Sequence, residues 1–146
     1  MHRLWILAPL VLALTTGSLV FASELDEIRK EPDLLKRADR AIDYADAALK
    51  QARELTVKGE SAQAPALIGE VAEACELSLQ ALRETGKRPG RLSKYYKKGE
   101  IRTRDYTRRL EALIQALNYE DRAKAGPFQT RLLAAHEEFL LGAMSK

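Results

Sequence analysis

The chain has 146 residues, a formal net charge of +3, 31% charged residues and one cysteine. That length holds one domain, and a lone Cys75 excludes an intramolecular disulfide, so packing has to supply the stability. A nearly balanced total excludes a uniformly acidic or basic chain, but it does not exclude a dipolar one.

Residues 1–22 differ from the rest. Arg3 is their only charge, Leu4 to Leu14 is apolar apart from Pro9, and Thr15 to Ser18 is small and polar. Val20-Phe21-Ala22 then sets small or modest side chains three residues and one residue before Ser23, the spacing a signal peptidase accepts. This predicts a cleaved secretory signal over 1–22 and one exported domain, periplasmic or secreted, over 23–146. The alternative is an uncleaved anchor, because the 19 uncharged residues from Leu4 to Ala22 are just long enough to cross a bilayer. Pro9, the Thr-Thr-Gly-Ser interruption and the cleavage pattern favour the signal.

Ser23 can cap a short first helical turn carrying Glu24, Asp26 and Glu27, acids suited to the positive end of a helix. Pro32 interrupts or restarts it. Leu35, Ala38, Ile42, Ala45, Leu49 and Ala52 then repeat at 3, 4, 3, 4, 3, which predicts a long helix with one apolar stripe. Its alanines should let a neighbour approach closely at a shallow crossing angle. Gly59 should end that helix. A second is expected soon after Ser61 with Pro65 in its first turn, phased by Ile68, Val71, Cys75, Ser78 and Leu82, and closed by Gly86. The short link predicts an antiparallel hairpin.

Lys87 to Arg109 holds ten Lys or Arg and two acids, a local charge of +8 that leaves −5 for everything else. Lys87 to Gly99 reads as the longest connection, in which Leu92, Tyr95 and Tyr96 are expected to fold a turn against the bundle end. A third helix, phased by Tyr106, Leu110, Leu113 and Leu117, is expected to begin near Thr103, because Ile101 is out of phase. Asn118 to Gly126 reads as a polar connection. Pro127 is expected to open a fourth helix phased by Phe128, Leu132, Ala135 and Phe139, with Leu133, Leu140 and Ala143 widening the stripe. No stretch alternates with period two, so the predicted fold is all-α: an up-down-up-down four-helix bundle after a short helical turn.

The motifs that carry chemistry are incomplete. Gly86-Lys87 lacks both the first glycine and the Ser or Thr of a phosphate-binding loop. His136 is the only histidine after residue 22, with Leu133 rather than Glu three residues before it, so no di-metal or other cofactor site is expected. No serine or cysteine nucleophile pairs with His136, which reads as a histidine at the core boundary. Glu70 with Glu73, and Glu137 with Glu138, read as solvated helix faces. The expectation is a protein without a catalytic site, cofactor or metal.

The basic run divides. Glu100 with Arg104 and Asp105 with Arg109 stand four apart with the acid first, as ordinary helix-surface pairs do. Lys87, Arg88, Arg91, Lys94, Lys97 and Lys98 have few local acids. With Tyr95, Tyr96 and Arg102 they form the candidate site for an anionic partner: anionic lipid, envelope polysaccharide, or an acidic protein surface such as a second copy. The competing reading is that these cations neutralise acidic faces elsewhere on the same bundle. Nucleic acid would suit the same residues, but an export signal makes it a poor partner.

Glu84-Thr85-Gly86-Lys87, Glu100-Ile101-Arg102-Thr103-Arg104, Arg108-Arg109-Leu110 and Tyr119-Glu120-Asp121-Arg122 together resemble small exported bacterial helical proteins with no assigned activity. The resemblance implies compartment and a helical fold, and it carries no catalytic residue.

Overall fold

The computed structural model describes residues 24–146, which form five helices and two short 3-10 turns, with no strand among the described residues. The export segment expected over 1–22 lies outside them. No helix among the described residues is long and apolar enough to cross a membrane.

A short helix, α1, is described over 24–29 and buries Leu25 and Ile28. Helix α2, Leu34–Val57, starts at Asp33, whose carboxylate accepts from the N–H groups of Leu35 and Lys36 at 3.1 Å each. Two donors that the helix cannot itself satisfy are thereby paired. At its other end Gly59 adopts φ +80°, while Gly59 N–H donates to Thr56 and Glu60 N–H to Leu55. That pair of bonds is the Schellman closure, which favours glycine at this position. A 3-10 turn, Ser61–Gln63, leads into α3, Ala64–Glu84, with Pro65 in its first turn. Gly86, at φ +70°, ends it.

In both helices the expected stripes are the buried ones: Ala38, Ile42, Ala45, Leu49 and Ala52 on α2, and Ile68, Val71, Cys75, Ser78 and Leu82 on α3. They form an antiparallel pair, tied by Ser78 Oγ donating to the Ala38 carbonyl at 2.9 Å and by Tyr44 Oη donating to Glu70 at 2.7 Å.

The third and fourth helices differ from expectation. Helix α4 runs Ser93–Ala116 and is entered by a 3-10 turn, Pro89–Leu92, so most of the expected basic loop is helix. Thr103 is no cap: it is fully buried mid-helix and its Oγ1 donates to the Gly99 carbonyl at 2.7 Å. The buried stripe is Tyr96, Gly99, Thr103, Tyr106, Leu110 and Leu113, an unbroken 3, 4, 3, 4, 3 pattern in which Gly99 and Thr103 replace apolar side chains. Ile101 stays exposed, as its phase requires.

Helix α5, Tyr119–Met144, begins eight residues before Pro127, which lies inside it. Asn118 Oδ1 accepts from Asp121 N–H at 2.8 Å, with Glu120 and Asp121 in the first turn, and this terminus outweighs the proline as a start signal. Gly126 helps the helix tolerate Pro127, since it has no Cβ to meet the proline ring. Leu133 and Leu140 do not widen the core; they are exposed.

Helices α4 and α5 pair antiparallel, with Phe139 lying over Gly99 and Tyr96 over Gly142. Across the molecule α2 runs parallel to α4, matching Asp39 with Lys98 and Asp46 with Arg109. Helix α3 likewise runs parallel to α5, where Phe128 covers Gly69, Arg131 meets Glu76 and Arg83 meets Glu138. Helices α3 and α4 scarcely touch. The connection over 85–92 therefore crosses the end of the assembly diagonally.

Candidate functional site

The nine candidate residues fall at one end of the molecule, where α3 terminates, α4 begins and α5 terminates. They do not form one surface. Tyr96 is a core residue: its ring covers Gly142 and meets Phe139 edge-on at 6.2 Å, and burial raises its pKa. Tyr95 is half-buried against the core, with Lys94 Nζ 6.0 Å from its ring centre.

Lys98 and Arg102 face α2. Lys98 Nζ stands 3.2 Å from Asp39 and 3.3 Å from Asp43, and Arg102 lies 3.8 Å from Asp43. Further along, Arg109 donates to Asp46 at 2.6 Å and to Asp105 at 3.1 Å. Burial pushes Asp46 up, but hydrogen bonds from Arg109 and Lys50 outweigh it and hold the carboxyl below its usual range. Asp39, Asp43 and Asp46, spaced 4 and 3 on α2, thus line an acidic edge against the basic edge of α4. These cations are paired with acids of the same bundle, and the parallel α2–α4 contact is the reason.

Lys87, Arg88, Arg91, Lys94 and Lys97 are different. All are exposed, and among the described residues none of them takes part in an ion pair. They fall within eleven consecutive residues. The start of α4 adds to the positive field: no side chain caps it, and no acid lies in its first turn. Lys94 sits in that turn, where the helix dipole disfavours a cation. The start of α5, with Asn118, Glu120 and Asp121, is the conventional opposite.

The remaining polar features lie elsewhere in the bundle. Glu70 and Glu73 are not merely solvated: Glu73 meets Arg29, and Glu70 accepts from Tyr44. Burial raises the Glu70 carboxyl pKa, the Tyr44 hydrogen bond lowers it, and the neighbouring Glu73 raises it, for a net upward shift. His136 Nε2 is 3.5 Å from Glu100 and has no hydrogen-bond partner among the described residues. Glu100 also faces Arg104 at 3.5 Å. Cys75 is wholly buried, and burial holds its thiol well above its usual value. Among the described residues no three His, Cys, Asp or Glu side chains are grouped to hold a metal ion.

Of the shallow concavities that flank this framework, two lie near its opposite ends. One, of about 380 Å³, opens between the ends of α2 and α4 and is lined by Leu49, Arg53, Val57 and Leu113. The other, of about 210 Å³, lies at the basic end between Pro89, Tyr96 and Leu141. No known protein family, curated protein or solved structure matches this chain.

Proposed function

We propose that this chain is an exported, non-catalytic, up-down-up-down four-helix bundle that binds an anionic partner through Lys87, Arg88, Arg91, Lys94 and Lys97. The observation that carries the reading is the division of the basic run. Lys98, Arg102, Arg104, Arg108 and Arg109 each have an acid on α2 or α4, whereas the five cations before them have none among the described residues. Five like charges held together on an exposed end raise the local potential and attract an anion, an effect that salt screens over about 10 Å at 0.1 M. Export, read from residues 1–22, directs the choice to partners outside the cytoplasm: acidic lipid, envelope polysaccharide or an acidic protein surface.

Retention on a soluble polyanion such as dextran sulfate tests the reading. Binding should weaken steeply with added salt and be lost when the five cations are changed to Gln. It should persist when Lys58 and Lys124, at the other end, are changed instead. Binding that is absent or insensitive to salt sinks the proposal.

A second reading, a self-associating bundle without a ligand site, is favoured by the exposure of Leu133, Leu140, Leu141 and Met144 on α5. Light scattering separates it, because a strict monomer removes that option.

A further inference from the structure

The described residues expose seven large apolar side chains: Val57, Ile101, Tyr119, Leu133, Leu140, Leu141 and Met144. Val57 and Tyr119 lie at the end opposite the basic cluster, near the α2–α3 and α4–α5 turns. The other five belong to the first half of α4 and the second half of α5. These two stretches are side by side, because Gly99 meets Phe139 and Tyr96 meets Gly142. The Lys146 backbone also lies against Gly90 of the basic turn, so the last turn of α5 adjoins the 3-10 segment that contains Arg91 and follows Arg88.

Of these five, the two most exposed lie at the end that carries the cations. Met144 is 73% exposed and Leu141 63%, and both lie in the last turn of α5. Helix spacing puts Leu133, Leu140 and Met144 on one side of α5, seven and four residues apart. One end of the molecule therefore offers five unpaired cations beside a strip of exposed aliphatic side chains. A polysaccharide or an acidic protein loop would use the charges and leave Leu141 and Met144 in water. An interfacial surface uses both, since acidic headgroups attract cations while the acyl boundary takes up apolar side chains.

We infer that this end docks on the surface of an anionic lipid bilayer, with Lys87, Arg88, Arg91, Lys94 and Lys97 on the headgroups and Leu140, Leu141 and Met144 entering the interface. The inference rests on the anionic-partner reading above and narrows it to one partner. Each cation near such a surface contributes about a factor of five to binding, and each fully inserted Leu or Met contributes tenfold or more.

Co-sedimentation of the protein with vesicles tests it, using phosphatidylglycerol–phosphatidylcholine and pure phosphatidylcholine at one ionic strength, with dextran sulfate binding measured in parallel. Binding is expected on the acidic vesicles alone. The exposed pair L141S/M144S should weaken it about tenfold or more while leaving dextran sulfate binding unchanged. A second pair, I101S/L140S, should act in the same direction, and circular dichroism should show both variants folded. Polyanion binding without vesicle binding, or vesicle binding that neither pair weakens, overturns the lipid assignment and leaves the anionic-partner reading standing. Failure to bind both probes removes both. A concentration-dependent dimer abolished by L141S/M144S assigns the strip to a second copy and also overturns the inference.

Discussion

The Tyr106 hydroxyl donates to the Ile42 carbonyl at 2.6 Å, joining the middle of α4 to the middle of α2 inside the core. The Tyr106 ring has no exposed surface. Ile42 can keep its helical partner because a carbonyl accepts two bonds. Tyr106→Phe should therefore cost only the one hydrogen bond, about 1 kcal/mol, whereas Tyr106→Ala should cost about 3–5 kcal/mol by opening a cavity. Urea denaturation of both variants measures the difference.

Gly99 and Gly142 invert the usual helix rule. Replacing a mid-helix glycine by alanine normally stabilises by about 0.5–1 kcal/mol. Here a new Cβ would run into the ring of Phe139 at position 99 and the ring of Tyr96 at position 142. Gly99→Ala and Gly142→Ala should each destabilise by about 1–3 kcal/mol through overpacking, visible as a lower Tm.

Pro127 is exposed inside α5 and cannot donate to the carbonyl four residues before it. Pro127→Ala should restore that bond and raise stability by about 1–3 kcal/mol. Loss of stability would mean that the proline is needed to seat Phe128 over Gly69.

Asp46 makes the α2–α4 contact sensitive to pH. Its carboxyl is held below the usual range by Arg109 and Lys50, so the stabilisation is present above the unfolded value, about 4, and is lost as pH falls through the lower folded value. Asp46→Asn should cost about 1–2 kcal/mol at neutral pH and nothing once the wild-type carboxyl is protonated. Chemical denaturation between pH 7 and pH 2 supplies the comparison.

The division of the basic run predicts two kinds of lysine. Changing Lys94 and Lys97 to Gln should leave stability within about 0.5 kcal/mol while weakening polyanion binding. Lys98→Gln removes the contacts to Asp39 and Asp43, and should lower stability by about 0.2–1 kcal/mol with less effect on binding.

Helices α2 and α3 are legible in the sequence apart from the Asp33 start of α2, because every position of their stripes is apolar or small and their other termini have local signals. Asp33, Gly59, Pro65 and Gly86 act within a turn of where they stand. Helix α4 is less legible because Gly99 and Thr103 occupy its stripe. Gly99 serves there by being small, and only the ring of Phe139 packed over it gives smallness a value. Helix α5 is obscured in the same way by Pro127, a start signal that the Asn118 terminus overrides.

The cations show the same limit. Local spacing is enough to pair Glu100 with Arg104 and Asp105 with Arg109, since both partners ride on one helix. Nothing local says that Lys98 and Arg102 meet Asp39 and Asp43, which are about sixty residues away in the chain. That match depends on α2 and α4 being parallel neighbours, and so on the diagonal course of the 85–92 connection. By itself the sequence determined an all-helical chain and its two clearest helices, because periodicity and capping are local. Only the tertiary structure decided which charges are consumed within the fold and which remain exposed, because Coulomb partners are set by distance in space and not by distance along the chain.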